Sequence, residues 1–129
     1  MNPKMIWANL PVADLKRTTT FYTDLGFTPN GAPNEQLTSF IVGGNKFIIH
    51  FFLKEVLQSN MNIEIADAHA AAEIMFTLSA ESKTEVDDWA AVVTKAGGEL
   101  LSQPEAFGKG YYGFAFADPD GHRFNVFYM

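Results

Sequence analysis

The chain has 129 residues, of which 47% are apolar and 14% aromatic, including 12 phenylalanines. This composition is typical of one globular domain with a substantial core, and it excludes a disordered chain. The formal net charge is −6 and there is no cysteine, which argues against nucleic-acid binding and excludes disulfides and thiolate chemistry.

The sequence carries no recognisable targeting or membrane signal. The N-terminal segment MNPKMIWANL has no long apolar region, and no apolar run approaches the ~18 residues that a membrane-spanning helix needs. We therefore expect a cytoplasmic protein with neither a membrane nor a nucleic acid among its partners.

The first half of the chain predicts a strand, a helix and two further strands. Apolar residues alternate over residues 5–12, which is typical of a strand. Asp14 is a suitable N-cap for a helix that continues to about Leu25 and stops at Gly26. The next strands are expected over residues 38–42 and 46–53, joined by a Gly-Gly-Asn turn.

The second half also begins with a strand and a helix that further strands follow. We interpret residues 54–73 as a polar, irregular connector, followed by a strand over residues 74–80. Ser82 and Glu85 match a capping box at the start of a second helix. The remaining expected strands cover residues 99–102, 112–117 and 122–128, and the last two are joined by the type I turn DPDG.

Both halves follow the order strand–helix–strands, and we interpret them as two copies of one β-α-β-β-β module, of which three strands are assigned in the first half. Module one covers about residues 5–53 and module two about residues 74–129, and together they are expected to form a single domain, 1–129. The predicted fold class is α+β, with two tandem modules that form a curled, cavity-enclosing mixed sheet and helices on its outer side.

Two stretches of the chain resemble the vicinal oxygen chelate superfamily, which includes glyoxalase I, bleomycin-resistance proteins, fosfomycin-resistance enzymes and extradiol dioxygenases. They are NLPVADL…FYTDLGF over residues 9–27 and ADPDGHRFNV over residues 117–126. In the metal-dependent members, each module supplies His, Glu or Gln ligands from its first and last strands. The resemblance also implies a homodimer with cavities built from both chains.

Carried over by position, the four ligand sites of that superfamily fall on Trp7, His50, Met75 and Asn125. Hard divalent ions need several oxygen or imidazole ligands. His50 alone is a good ligand, because indole offers no lone pair, the thioether of Met75 is soft and the amide of Asn125 is uncharged. We therefore predict no metal ion and no cofactor.

The resemblance implies instead that these side chains line a ligand cavity. His50 is the candidate catalytic group, since an imidazole can bind a polar ligand atom or move a proton near neutral pH. The alternative is a buried, hydrogen-bonded core histidine. The candidate ligand-binding residues are Trp7, Asn9, His50, Phe52, Met75, Tyr112, Arg123 and Asn125.

Several of these candidates have a structural alternative. Trp7 shares a strand face with Asn9 and can stack on a planar or cationic guest, but tryptophan is more often a core residue. Arg123 either reaches an anionic ligand or lies solvated at the surface. Tyr112 follows a Gly-rich loop and either belongs to a mobile lid or simply packs. His122 is expected to face outward.

The first functional hypothesis is a metal-independent small-molecule-binding protein, similar to the bleomycin-resistance branch, that holds an aromatic or cationic ligand. The second is a metal-dependent lyase, isomerase or dioxygenase-like enzyme that resembles glyoxalase I, with the metal held either by His50, Asn125 and waters or by groups from a partner chain. A binding or regulatory module without turnover is the third.

Overall fold

A computed structural model describes residues 1–129 and contains three helices and two mixed sheets, which confirms the α+β class. The chain divides into two compact units, Met1–Ile65 and Ala66–Met129. None of the three helices combines the length and apolar character required to cross a bilayer.

The first unit has four strands and two helices. In chain order they are β1 (Ile6–Val12), α1 (Leu15–Asp24), β2 (Thr28–Pro29), β3 (Leu37–Val42), β4 (Phe47–Leu53) and α2 (Lys54–Met61). The sheet order is β1-β4-β3-β2, in which β1 and β4 run parallel and the other pairs antiparallel. The predicted strand–helix–strand order of this half is confirmed, and β2 is a two-residue addition.

Helix α1 begins and ends where the sequence predicts. The side chain of Asp14 accepts a hydrogen bond from the Arg17 backbone N–H at 3.0 Å, and Gly26 follows the helix with φ +88°. Threonines form helices poorly because their β-branched side chains lose rotamer freedom and their hydroxyls compete for backbone groups. Here the Thr19 hydroxyl bonds the Leu15 carbonyl at 2.7 Å and lies 2.9 Å from the Thr38 hydroxyl on β3, which ties the helix to the sheet.

Aromatic packing holds α1 against one face of the first sheet. The Tyr22 ring stacks on that of Phe51 with centroids 4.4 Å apart and also contacts Phe40, and all three side chains are buried. Side chains alternate between faces along a strand, so His50 and Phe52 project from the opposite face. We call that opposite face the first open face; its residues include Trp7, Asn9, Ser39, His50 and Phe52.

Residues 54–73, which the sequence indicates to be an irregular connector, begin with a helix. Helix α2 occupies Lys54–Met61, contacts β1 and β4, and buries Leu57. It ends at Asn62, which adopts the left-handed conformation with φ +54°. Only one side chain of α2 is fully buried, so its helical periodicity is weak in the sequence.

The second unit has five strands and one helix. They are β5 (Met75–Ser79), α3 (Lys83–Ala96), β6 (Glu99–Leu100), β7 (Glu105–Phe107), β8 (Tyr111–Ala117) and β9 (Arg123–Tyr128). The sheet order is β5-β9-β8-β6, with β7 also paired to β8, and only the β5–β9 pair is parallel. Strand β7 lies in a segment that is not among the strands expected from the sequence.

Helix α3 covers one face of the second sheet. The Ser82 side chain accepts from the Glu85 backbone N–H at 3.0 Å, while the Glu85 carboxylate accepts from the Glu81 backbone N–H. Trp89 of α3 lies against Phe116, whose ring stacks on Phe124 at 5.2 Å. The uncovered face, which we call the second open face, carries Met75, Thr77, Gly113, Ala115, Arg123, Asn125 and Phe127.

The turn before β9 is held by the Asp118 side chain. Its Oδ1 accepts from the backbone N–H groups of Asp120 and His122, each at 2.9 Å, and its carbonyl accepts from Gly121 N–H at 2.9 Å. His122 is only 9% exposed. The expectation that His122 faces outward was therefore wrong, because the turn folds back against the segment that contains His69.

Candidate functional site

A row of polar side chains crosses the first open face. Asn9 of β1 and Ser39 of β3 are the strand partners of His50 on either side. The amide Nδ2 of Asn30 donates to the Ser39 hydroxyl at 3.1 Å, which extends the row beyond β3. Polar groups on an otherwise apolar sheet are expected where the sheet meets water or a ligand.

His50 is the most distinctive member of this row. It is half-buried, and its Nδ1 atom is buried without a hydrogen-bond partner. Burial lowers the pKa of His50 below its ordinary value of 6.5, because desolvation disfavours the imidazolium. The side chain therefore presents a neutral imidazole near neutral pH, and the hydrogen bonding expected of a core histidine is incomplete at Nδ1.

Aromatic surface flanks His50 on the first open face. The Phe52 ring lies 6.0 Å from the imidazole in an edge-on arrangement, and Trp7 is 50% exposed. Trp7 also lines an open cavity of about 550 Å³, together with Pro3, Lys4, Met5, Ile6 and Lys46. The indole therefore has a face available to a guest molecule.

The second open face carries three of the remaining candidates. Asn125 on β9 is opposite Thr77 and Ala115, and Arg123 is opposite Met75. Met75 is 49% exposed, and the Nε atom of Arg123 is buried without a hydrogen-bond partner. The amide of Asn125, the hydroxyl of Thr77 and the guanidinium of Arg123 are polar groups of this face.

Small residues on β8 leave a pocket above Asn125. Its volume is about 190 Å³, and its lining residues are Ser102, Glu105, Phe107, Gly113, Phe114, Ala115, Asn125 and Phe127. Gly113 has no side chain, and a Cβ there would overlap both the Phe127 ring and the Val126 carbonyl oxygen. The Phe127 ring therefore packs directly over Gly113 and forms one wall of the pocket.

Of the residues that line this pocket, only Asn125 is a candidate on sequence grounds. Ser102, Glu105 and Phe107 lie where the sequence predicts a short strand end and a loop. The available signal was the alternation of Glu105 and Phe107, but β7 has only three residues, too few for the period to be recognised.

Tyr112 lies on the other face of the second sheet. Its hydroxyl donates to Asp87 Oδ1 of α3 at 2.7 Å, and Lys83 Nζ is 5.6 Å from its ring centroid. The hydrogen bond to Asp87 raises the pKa of Tyr112 above its ordinary value of 10.0. The neighbouring residue Tyr111, which is 40% exposed, lies on the second open face with Phe107 and Phe127.

The donor chemistry of these faces does not fit a divalent ion. No group of three or more His, Cys, Asp or Glu side chains is positioned to hold one. Four positions correspond to the metal ligands of the vicinal oxygen chelate superfamily. Two of them, Trp7 and Met75, supply no suitable lone pair, which leaves the imidazole of His50 and the neutral amide of Asn125.

Comparison with solved structures shows the same fold elsewhere. A hypothetical protein from S. aureus is 28% identical with a TM-score of 0.87, covering 100% of this chain and 96% of that one. A glyoxalase-related enzyme from Fulvimarina pelagi is 22% identical with a TM-score of 0.87 and coverage of 100% and 89%. Lactoylglutathione lyase from Agrobacterium tumefaciens is 20% identical with a TM-score of 0.72 and coverage of 98% and 95%.

No curated protein matches the sequence. The sequence model of the Glyoxalase/Bleomycin resistance protein/Dioxygenase superfamily matches residues 4–126, which is nearly the whole chain. This match confirms the resemblance that residues 9–27 and 117–126 carry. The chain therefore belongs to the Glyoxalase/Bleomycin resistance protein/Dioxygenase superfamily.

Proposed function

We propose that the protein is a metal-independent small-molecule-binding protein that holds an aromatic or cationic organic ligand on the first open face. The observation that carries this proposal is the first open face, where a half-exposed indole, a neutral imidazole and a phenyl ring share one surface. Aromatic faces with few, well-placed polar groups are typical of small-molecule sites.

His50 has a specific role in this proposal. A neutral imidazole can donate from one ring nitrogen and accept at the other, so it can orient a polar group of a ligand that stacks on Trp7. Asn9 supplies a second hydrogen-bonding group beside it. If a reaction takes place, His50 is the group that would accept or return a proton.

The donor set supports metal independence. A metal-dependent lyase or isomerase needs several charged or imidazole ligands, and the positions equivalent to them hold Trp7, His50, Met75 and Asn125. The similarity to lactoylglutathione lyase extends to the fold, and that activity is the alternative against which the proposal is tested.

We also propose that the protein is a cytoplasmic homodimer. Strands β1 and β5 each form the edge of their sheet and carry exposed apolar residues, with Ile6 61% exposed and Ile74, beside β5, 57% exposed. Exposed apolar edges favour pairing with another chain. Sedimentation equilibrium should give a dimer, which Ile6→Glu should weaken; a monomeric wild-type chain at micromolar concentration would contradict this part.

The decisive experiment is metal analysis of protein purified without chelators, followed by equilibrium dialysis against zinc, nickel and manganese. We expect far less than one bound ion per chain. We also expect the wild type and His50→Gln to bind the same amount of metal. A near-stoichiometric ion that is lost in His50→Gln would overturn the proposal in favour of the metal-dependent alternative, which an assay of lactoylglutathione lyase activity would then check.

Ligand binding is tested separately by NMR with small aromatic fragments. We expect indole and benzyl alcohol to shift the Trp7 indole N–H signal and the His50 ring signals. Trp89, which packs on Phe116 in the core, is the internal control and should not respond. Failure of every aromatic fragment to shift Trp7 or His50 would exclude the first open face as the binding surface.

A further inference from the structure

The pocket on the second open face combines aromatic walls with one carboxylate. Glu105 of β7 is the strand partner of Gly113, which in turn is the partner of Phe127 on β9. Partners across an antiparallel pair project to the same face. Glu105 therefore lies on the same face as the Phe127 ring, which packs over Gly113, and both side chains line the pocket.

Three rings cluster on this face. The Phe107 centroid is 4.7 Å from that of Phe127 and 5.5 Å from that of Tyr111, onto which it stacks. Phe107 is 39% exposed although it belongs to this cluster. Tyr111 therefore packs against Phe107, which lines the pocket and keeps part of its ring exposed.

The charge of the lining is entirely negative. Glu105 is its only ionisable side chain, and the other polar side chains are Ser102 and Asn125. The Ser102 hydroxyl already accepts from Ala115 N–H at 2.9 Å. Arg123, the cation on this face, has Ala117 as its strand partner, four residues along β8 from Gly113, which corresponds to roughly 13 Å.

We propose that this pocket binds a small organic ammonium ion, with Glu105 as its counter-ion and the rings of Phe107 and Phe127 as its aromatic wall. Aromatic faces attract alkylammonium groups through the ring quadrupole, and a carboxylate adds a direct charge interaction. The volume of about 190 Å³ suits a compact head group, since a cavity of about 150 Å³ accepts benzene. This inference goes beyond the proposed function of the first open face and adds a second site with its own ligand class and recognition residues.

The test is an NMR titration of the full chain with choline and with 3,3-dimethylbutan-1-ol, the neutral compound of the same shape. Choline should shift the amides of Gly113 and Ala115 and the side-chain amide of Asn125. Its Kd should be about fivefold lower than that of the alcohol, as expected for a cation near aromatic and carboxylate groups at a partly exposed site.

Two variants separate the local charge from the net charge. Glu105→Gln should raise the choline Kd about three- to fivefold and leave the alcohol unaffected. Glu99→Gln removes the same charge from an exposed position opposite Ala117 and should change neither. The inference would be overturned if choline and the alcohol bound with equal affinity, or if the two variants had equal effects on the choline Kd. It would also be overturned if choline shifted only signals outside the pocket.

The same titrations distinguish this inference from the proposed function. If indole and benzyl alcohol shift Trp7 and His50 while choline fails at the pocket, only the ammonium inference is wrong. If choline binds at the pocket with the expected Glu105 dependence while no fragment affects Trp7 or His50, the ammonium site stands and the role of the first open face is wrong.

Discussion

Asn9 of β1 lies directly opposite His50 of β4, on the face of the first sheet that α1 does not cover. The two residues are 41 positions apart in the sequence, and the parallel pairing of their strands brings them together. Their neighbours on β4, Ile49 and Phe51, are fully buried on the helix side. The pair therefore marks the point where an apolar strand presents hydrogen-bonding groups to an open surface.

The environment of His50 predicts a lowered pKa and a protein that is less stable at acidic pH. Burial lowers its folded-state pKa, so the native state binds fewer protons than the unfolded state once the pH falls below about 6.5. The stabilising contribution is present above the unfolded pKa and is lost as the pH falls towards the folded pKa. Proton NMR of the imidazole should give a pKa below 6.5.

The control for this prediction is His50→Gln, which keeps a polar side chain but cannot titrate. In chemical denaturation, the unfolding free energy of the wild type should decrease as the pH falls below about 6.5, and the variant should show a smaller decrease. An NMR pKa at or above 6.5 would show that desolvation does not control this histidine.

Gly113→Ala tests the close contact between β8 and β9. A Cβ at this position would overlap the Phe127 ring and the Val126 carbonyl oxygen, so we expect a loss of about 1–3 kcal/mol in unfolding free energy. Denaturant melts measure the effect. Phe127→Leu combined with Gly113→Ala should recover part of this loss in a double-mutant cycle, whereas strict additivity would show that the ring is not the obstacle.

Gly121→Ala should be more costly than Gly26→Ala. Both glycines have similar left-handed conformations, φ +90° and φ +88°, but only at Gly121 would an added Cβ meet close neighbours, namely the backbone of Ala68 and His69. Gly26→Ala therefore measures the conformational strain, of about 1 kcal/mol. Gly121→Ala adds the steric cost, and its unfolding free energy should fall by about 1–3 kcal/mol more. Equal losses would exclude the contact with residues 68 and 69.

The hydrogen bond between Tyr112 and Asp87 should be visible in an alkaline titration. The bond and the neighbouring carboxylate favour the neutral phenol, so Tyr112 should ionise above pH 10.0. Asp87→Asn should lower that pKa towards its ordinary value, as followed by tyrosinate absorbance. Asp88→Asn, one position along the same exposed stretch of α3, is the matched control and should have no effect.

Much of the fold could be predicted from local patterns. Asp14 and Ser82 are N-caps whose side chains bond the backbone three residues later, and such contacts depend only on nearby sequence. The long strands have enough residues for alternation to be recognised. Helix α2 and the short strands β2 and β7 could not be predicted because they bury few side chains and the strands are too short for a period to be recognised.

The candidate site was predictable in part. The position of His50, Phe52, Asn9 and Trp7 on one face follows from the alternation of β1 and β4. The face on which Tyr112 lies could not be predicted in this way, because a shift of one residue exchanges the two faces of a strand. The pairing of β8 with β9 assigns Tyr111 to the open face and Tyr112 to the α3 side.

By itself, the sequence determined the α+β class and the helix caps, because each depends on residue type and local spacing, and it predicts a duplicated module and no metal ion. Only the tertiary structure decided that His122 is buried and that Glu105 and Phe107 border a pocket with Asn125. Both results depend on strand register and on close approach between segments far apart in the chain. Register and approach are set by long-range pairing, which leaves no periodic pattern in the sequence of the residues concerned.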